Sequence, residues 1–435
     1  MIIGGHRSTA TIARGVYEMP RTPTHATDAS TADQRERATS FLAHLEDACH
    51  AADLPHWNGL ALVRDVVSSI ENGLSHTALR IVGKEDPMRQ DRVTDESLAL
   101  LLPALSNVEL FTQLDLSYNQ VTDNGAQALA HLLSEDKFME SVSLKSNSIQ
   151  GDGASQLAHS LTLNHTLKEL DLSYNCIGKT GGMEIASVLQ INTTLKSLNL
   201  SGCSLTLDPL IALATVLRNN TAISILDVSD NASPTFSATQ SLQSSFTSHW
   251  AGTLRVNSTL RELRFGKMGL TDWVLVDEFA AALGANKGLR TLDLSGNKIT
   301  RDGASKLFVE LKQQSHLKHL CLSNCKIQDQ GAQECATTLK TNTALKTIYL
   351  ENNGITAIGL RALAEACHYN THLQHLRLWG NLWDSEACEA FNSLLIQQFT
   401  KKASKHPKPR FSEQDLDVSF YQVGGIMHVA HRDPK

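Results

Sequence analysis

Apolar and polar residues alternate in a short phrase that recurs along most of the chain. Within each copy, two apolar residues such as Leu170 and Leu172 stand on either side of a polar one. A period of two is typical of a strand with one buried face. A glycine-containing stretch such as 181–189 follows, in which apolar residues recur at helical spacing. Each copy therefore predicts one short strand followed by one helix.

The copies stand at a nearly constant interval. The first apolar residue of the phrase falls at ten positions, namely Phe111, Met139, Leu167, Leu195, Ile223, Leu260, Leu289, Leu317, Leu345 and Leu373. Successive positions differ by 28 residues, except for one interval of 37 and one of 29. The phrase L-x-x-L-x-L-x-x-N/C-x-I/L at this period is the leucine-rich repeat signature. We expect an α/β solenoid shaped as an arc, with parallel strands on its concave face and helices on its convex face.

Two sets of positions in the phrase have a predicted structural role. Leucines of the strands form the predicted core, among them Leu114, Leu116, Leu144, Leu172, Leu200, Leu294, Leu322 and Leu350. A polar residue after each strand is expected to stack on its neighbours as a ladder that satisfies backbone groups. The predicted ladder comprises Asn119, Asn147, Asn175, Cys203, Asn231, Asn297, Cys325, Asn353 and Asn381. N-x-S/T matches such as those at Asn164 and Asn257 fall at another repeated position and are interpreted as a by-product of the repeat.

Departures from the phrase predict how the chain is organised. The predicted segments are a disordered tail at 1–38, a helical cap at 39–75, about eleven repeats at 76–399, a basic linker at 400–412 and a β-hairpin at 413–435. The long interval indicates an insertion near 232–253, interpreted as a loop leading into a helix, either functional or simply tolerated on the surface. The Gly424-Gly425 pair between two β-rich runs is a hairpin signal.

Composition restricts the classes of function. The chain has 39 Lys and Arg against 45 Asp and Glu, a net charge of -6, which argues against bulk binding of nucleic acid. No stretch approaches the ~20 apolar residues that span a membrane. The N-terminus lacks the apolar region of a secretory signal, so we expect the eight cysteines to stay reduced.

Catalytic chemistry finds little support in the residues. No CxxC pair and no G-x-x-x-x-G-K-S/T phosphate loop occurs. His319, Cys321 and His375 share one face and could be interpreted as a Cys/His site. The two histidines are two repeats apart, or about 10 Å at their bases. A nucleophile needs its base within hydrogen-bond reach, so this spacing argues against such a site. Asp115 and Asp171 are expected to be solvated, with ordinary pKa values. We therefore predict a protein that is not an enzyme and has no catalytic residues, metal or cofactor.

Strand residues that point away from the core are expected to line the concave face. The first repeats contribute small, polar and mildly acidic side chains, whereas the last contribute the aromatic and arginine side chains that are enriched in interface hot spots. The candidate partner-binding residues are Tyr349, Glu351, His375, Arg377 and Trp379, with Asp171 and Glu169 on the earlier repeats. In the alternative interpretation, Trp379 and Trp383 seal the last repeat or lie under the hairpin.

The phrase resembles the ribonuclease-inhibitor-like class of leucine-rich repeats. Within that class, the sequence is similar to the leucine-rich repeat-containing protein 34 family over roughly residues 75–430. The segments that carry the similarity are 92–96, 189–195, 212–217, 378–381 and the hairpin turn at 423–425, where the family has Asp-Gly. The resemblance implies a non-enzymatic cytoplasmic or nucleolar protein linked to ribosome biogenesis, or alternatively a protein of cilia.

Three hypotheses of function follow. The first is a scaffold whose concave face binds a protein partner, without membrane insertion or sequence-specific binding of nucleic acid. Such a scaffold could also be a subunit of a larger assembly. The second is a structural component of a ciliary or flagellar axoneme. The third, a Ran-type GTPase activator, is weakened because the long acidic tail usual in that family is replaced here by a basic segment and a hairpin.

Overall fold

The computed structural model describes residues 24–25, 28–54, 56–75, 77–106, 108–400 and 415–432. Residues 1–23 of the predicted tail and 401–412 of the predicted linker therefore lie outside the described residues. Among the described residues, helix α1 begins at Asp28, inside the segment 1–38 that was expected to be a disordered tail.

Short strands build one long parallel sheet. A two-residue pair, β1 (Thr24–His25) and β2 (Leu74–Ser75), is antiparallel and stands apart from it. The sheet has eleven strands of three residues, namely β3 (Ala78–Arg80), β4 (Gln113–Asp115), β5 (Ser141–Ser143), β6 (Glu169–Asp171), β7 (Ser197–Asn199), β8 (Ile225–Asp227), β9 (Glu262–Arg264), β10 (Thr291–Asp293), β11 (His319–Cys321), β12 (Thr347–Tyr349) and β13 (His375–Arg377). Each strand pairs in register with the next along the chain. The predicted α/β repeat fold is confirmed.

Helices alternate with these strands. They are α1 (Asp28–Ala51), α2 (Asn58–Glu71), α3 (Asp95–Ser106), α4 (Asp123–Glu135), α5 (Gly151–Ser160), α6 (Gly178–Val188), α7 (Leu207–Leu217), α8 (Pro234–Ala238), α9 (Gln240–Val256), α10 (Asp272–Val274), α11 (Ala280–Ala285), α12 (Arg301–Leu311), α13 (Gln328–Leu339), α14 (Ala357–Tyr369) and α15 (Ser385–Thr400). A 3-10 turn covers Met88–Gln90, and a π-helical turn at Leu275–Phe279 joins α10 to α11. The helical phrase buries its apolar side against the sheet, because only stacked repeats can cover that side.

The core is continuous from the first helices to the hairpin. One cluster of buried apolar side chains extends from Ala38 to Val418. All eight leucines predicted for the core are fully buried. At the N-terminal end, α1 and α2 extend this cluster, with Phe41 packing edge-on against Phe111 at 5.3 Å between ring centroids.

The insertion contains the helix that the sequence predicted and, in place of the predicted loop before it, a second short helix. Residues 234–256 form α8 and α9, and their aromatic side chains point inward. Phe246 and Trp250 are fully buried and lie 5.2 and 4.8 Å from Phe265 of the next repeat. Gln243 accepts hydrogen bonds from the amide and hydroxyl of Thr271, at 3.0 and 2.7 Å. The insertion therefore contributes core packing, and the periodic phrase hid this because the extra residues break the helix spacing.

The chain ends in a hairpin at the last strand of the array. Strands β14 (Val418–Val423) and β15 (Ile426–His431) pair antiparallel around Gly424 and Gly425, which have φ angles of +58° and +85°. Leu416 forms a parallel bridge with Leu376 of β13, and Val418 is buried. The hairpin is therefore docked on the last repeat, as an isolated hairpin would be marginal in water.

Candidate binding surface on the concave face

Two hydrogen-bond ladders make the repeats a rigid frame for the concave face. In the first, Asn175 donates to the carbonyls of Leu144 and Leu172 at 2.9 Å and accepts from the amide of Ile149 at 3.1 Å. Where cysteine occupies this position, the Cys203 thiol donates to the Leu172 carbonyl at 3.1 Å. Each rung joins one repeat to the preceding one, so the strands cannot slide without losing buried hydrogen bonds.

Sequence reasoning missed the second ladder, which lies at the ends of the helices. Asn192 donates to the carbonyl of Leu161 at 2.8 Å and accepts from the amides of Thr194 and Leu195 at 3.1 and 2.9 Å. The equivalent side chains are Asn164, Asn220, Asn257, Asn286, Gln314, Asn342 and Asn370. The repeated N-x-S/T matches were the available signal, because a residue that recurs in every repeat has a structural role in each.

The structure brings five of the seven candidate residues together. Tyr349 is the last residue of β12, and Glu351 follows that strand. His375 and Arg377 lie in the adjacent β13, and Trp379 follows it. The Arg377 guanidinium carbon lies 4.5 Å from the centre of the Tyr349 ring. We call the surface of these five residues the terminal site.

Contacts within the chain hold the side chains of the terminal site in place. Ser323 donates to Glu351 at 2.5 Å, and burial raises the pKa of that carboxyl. Burial also raises the pKa of the Tyr349 phenol, so its hydroxyl stays protonated at neutral pH. Tyr349 and Arg377 are both half-buried. The stacked pair is therefore fixed before any partner arrives, which lowers the entropy cost of binding.

The hairpin forms one wall of the terminal site. The ring of His431 packs on that of Trp379 at 4.9 Å, and His375 lies 3.5 Å from Asp415. Trp383 packs against Phe391 and Phe420. Trp379 is thus partly covered, in line with the alternative interpretation of the two tryptophans. The sequence could not show this, because the hairpin returns to the array over a segment without the repeat.

Glu169 and Asp171 lie elsewhere on the sheet. They belong to β6, six strands from β12 or roughly 29 Å at ordinary strand spacing. Glu169 is exposed, but Asp171 is buried and accepts a hydrogen bond from the Ser173 amide at 2.8 Å. Burial raises its pKa, so the expectation of a solvated acid with an ordinary pKa is wrong for Asp171. Groups that contact the Asp171 carboxylate include Ser173 and, on the adjacent strand, Asn199.

A buried ionic cluster occupies the middle of the concave face. Arg264 of β9 is only 3% exposed, contacts Glu262 and lies 3.7 Å from Asp227 of β8. Burial raises the pKa of Asp227 to about 6, although Arg264 opposes that change. Sequence reasoning placed these side chains on the face but missed their burial, which depends on the neighbouring strands.

Aromatic and basic side chains also alternate along one edge of the first repeats. The Lys84 ammonium lies 4.2 Å from the centre of the Tyr118 ring, and that of Lys145 lies 5.5 Å from the Tyr174 ring. Both tyrosines have positive φ, at the turn that follows each strand. Sequence reasoning did not single out these residues, because the turn position carries a different residue type in most repeats.

The cysteine that accompanies the two histidines on the face is not poised as a nucleophile. Cys321 is buried, and burial raises the pKa of its thiol well above the ordinary value, so the reactive thiolate is disfavoured. Among the described residues, no group of three or more His, Cys, Asp or Glu is arranged to hold a metal ion. No helix in the described ranges combines the length and the apolar character needed to cross a membrane.

Comparison with known proteins agrees with this geometry. The Leucine Rich repeat family model matches residues 110–130, 163–186, 192–214, 285–308, 313–334 and 341–364. The chain is a leucine-rich repeat protein. No curated protein matches this leucine-rich repeat protein significantly.

Several solved structures are similar to it. The structure of the yeast Rad7 and Elc1 complex has 15% identity and a TM-score of 0.44, over 84% of this chain and 88% of that chain. The leiomodin-1 actin-binding site 2 structure has 27% identity and a TM-score of 0.28, over 32% of this chain and 78% of that one. The tropomodulin C-terminal domain of Caenorhabditis elegans has 10% identity and a TM-score of 0.29, over 37% and 90%.

Proposed function

We propose that this leucine-rich repeat protein is a non-enzymatic scaffold that binds a protein partner on its concave face, at the terminal site. The observation that carries the proposal is the stacked Tyr349 and Arg377 pair beside Trp379, held by the sheet below and the hairpin at the side. Aromatic and arginine side chains that are rigid and only half-buried match the residue types of interface hot spots.

The electrostatics of the terminal site support a polar partner surface with an apolar centre. Arg377 offers N–H donors, Glu351 offers a carboxylate, and the two lie beside the Tyr349 ring. A rim of charged groups around an aromatic centre is the usual composition of a protein interface.

The test is quantitative affinity capture with the full chain as bait. Tyr349→Ala/Trp379→Ala should lose the partners that the wild type retains, because each truncation removes an interface aromatic. The matched control is Tyr369→Ala/Trp273→Ala, which removes a tyrosine and a tryptophan that are 62% and 53% exposed on helices. Equal capture by both double variants would move the site elsewhere, provided that both melt at the wild-type temperature.

We further propose a cytoplasmic or nucleolar role linked to ribosome biogenesis. Proximity labelling in intact cells would report the compartment and the partner together. Enrichment of axonemal proteins, with retention in axonemes after detergent extraction, would favour the ciliary alternative instead. A turnover assay with Ran and GTP tests the third hypothesis, which unchanged hydrolysis would end.

A further inference from the structure

A row of basic side chains follows one rim of the concave sheet. The residue directly before each strand donates its amide hydrogen to the carbonyl of the equivalent residue in the preceding repeat. These bonds measure 2.7–2.8 Å and are unbroken from Glu140 to Gln374, including the step across the insertion. The ten equivalent residues are therefore adjacent: Thr112, Glu140, Lys168, Lys196, Ser224, Arg261, Arg290, Lys318, Lys346 and Gln374.

Four consecutive members of this rim, Arg261, Arg290, Lys318 and Lys346, are basic, and we call them the basic row. Lys168 pairs with Glu140 at 2.5 Å, whereas none of the basic row pairs with a carboxylate among the described residues. The arginines are instead held against the backbone: Arg261 donates to the Gly288 carbonyl at 2.7 Å, and Arg290 to that of His316 at 3.3 Å.

The positions directly after the last three members of the row carry no negative charge. The residues that follow the last three members of the row are Thr291, His319 and Thr347, and the next strand begins with His375. Burial lowers the pKa of His319, and Lys318, His375 and Lys346 lower it further. Lys318 and Lys346 are therefore both close enough to His319 to act on the same imidazole.

The spacing of the row discriminates between anionic partners. Strands lie ~4.8 Å apart, so the four charges extend over roughly 14 Å. An α-helix with an acidic residue on one face of each turn presents a carboxylate about every 5.4 Å, or four over about 16 Å. Long lysine and arginine side chains can absorb the difference of about 2 Å. An extended acidic chain presents same-face carboxylates about every 6.6 Å, which drifts out of register faster.

Nucleic acid fits this surface less well. The whole chain has a net charge of -6, and Glu262 and Asp293 lie on the strands beside the row. Strong binding to a nucleic acid usually draws on more phosphate contacts than four. A short acidic helix needs only the four charges of the row.

We infer that the basic row is the docking rim for an acidic α-helix of the protein partner, with carboxylates on one face of about three turns. The inference rests on the proposed scaffold function and names the chemistry of its partner. The row ends at Lys346, the residue directly before β12, and Tyr349 of the terminal site is the last residue of the same strand.

The test uses the full-length protein and a labelled helical peptide of about 14 residues with glutamates at i, i+3 and i+4 positions on one face. A second peptide of the same composition has its glutamates distributed around the helix. Fluorescence anisotropy is measured at low and at physiological salt, and binding of the striped peptide should weaken as salt rises. A single-stranded oligothymidine probe is measured in parallel.

Lys318→Gln/Lys346→Gln should weaken the striped peptide about tenfold, because two charge pairs are lost. The matched control is Lys312→Gln/Lys326→Gln, which neutralises two exposed lysines of the same repeats that lie outside the row and should leave the affinity unchanged. Equal losses in both variants, equal affinity for both peptides, or tighter binding of oligothymidine would each overturn the inference. The peptides contain no aromatic residue, so the Tyr349→Ala/Trp379→Ala capture experiment tests the scaffold function separately.

Discussion

The two ends of the array are covered in different ways. At the N-terminal end, α1 and α2 add apolar side chains such as Phe41 to the core. At the C-terminal end, the Asp417 carboxylate accepts the amides of Leu378 and Trp379 at 2.7 and 3.0 Å. Inside the array, the equivalent amide of Leu350 donates to Arg377 of the next strand.

The backbone hydrogen bonds explain the carboxylate at the C-terminal end. After each strand, the amides donate to the following repeat, so the last repeat has donors without a next strand. A buried donor needs an acceptor, which Asp417 supplies, whereas α1 and α2 cover the apolar side chains at the N-terminal end. The array is therefore sealed by hydrophobic packing at one end and by a carboxylate and a hairpin at the other.

The largest loss of stability is expected at the N-terminal end, which is sealed by apolar packing. Phe41→Ala should lower the free energy of unfolding by roughly 3–5 kcal/mol, because it opens a cavity against Phe111. Urea denaturation of the full chain measures the loss. Phe138→Ala, at a residue that is 37% exposed, is the control and should cost much less. A small effect at Phe41 would show that the first helices do not seal the array.

The centre of the sheet provides a reference that neither end touches. Asp227 has a pKa of about 6 in the folded protein against 3.8 ordinarily, a difference that corresponds to about 3 kcal/mol. Because the folded-state pKa is raised, the stability from this group is present below pH 4 and is lost as pH rises through 6. Relative to Asp227→Asn, the wild type should therefore lose up to about 3 kcal/mol between pH 4 and pH 7 in urea titrations. Asp302→Asn, at an exposed residue, is the matched control.

At the polar end, Asp417→Ala should cost about 2 kcal/mol, because two amides lose their acceptor. Hydrogen exchange should quicken at Leu378 and Trp379 while the amides of β4 and β5 stay protected. Asp417→Asn, which keeps one acceptor oxygen, should be milder. Exchange that quickens evenly along the array would contradict a local seal.

The smallest effect is expected within the hairpin. His431→Ala should cost about 0.5–1 kcal/mol, because it removes the ring that packs on Trp379. His428→Ala on the same strand, whose ring packs on Tyr421 instead, is the matched control. Thermal melting gives the cost, and the fluorescence of the protein should change only for the first variant.

Much of the fold was predictable because the same residue spacing recurs in every repeat. The positions of Leu172 and Asn175 recur in register, so strand, turn and helix could be read from spacing alone. The second ladder was equally periodic and was missed because its asparagines were interpreted only as by-products. The short helix α8 and the burial of the aromatic residues of α9 were not predictable from the phrase, since Phe246 and Trp250 have no counterpart in the other repeats.

The candidate site was predictable in its membership and not in its surroundings. Alternation along β12 and β13 placed Tyr349, Arg377 and Trp379 on one face, and the stack of the first two follows from adjacent strands. The contact of Trp379 with His431 joins positions 52 residues apart, and no local pattern encodes such a contact.

The sequence by itself determined the repeat, its strand and helix phases, the leucine core and the first hydrogen-bond ladder. These features depend on spacing within or between neighbouring repeats, where the physics is local. Only the tertiary structure decided that Asp171 and Asp227 are buried, that the insertion packs into the core and that Asp417 closes the sheet. Burial and hydrogen-bond partners depend on which distant segments come to lie against a residue, and that information is absent from the residue's own neighbourhood in the chain.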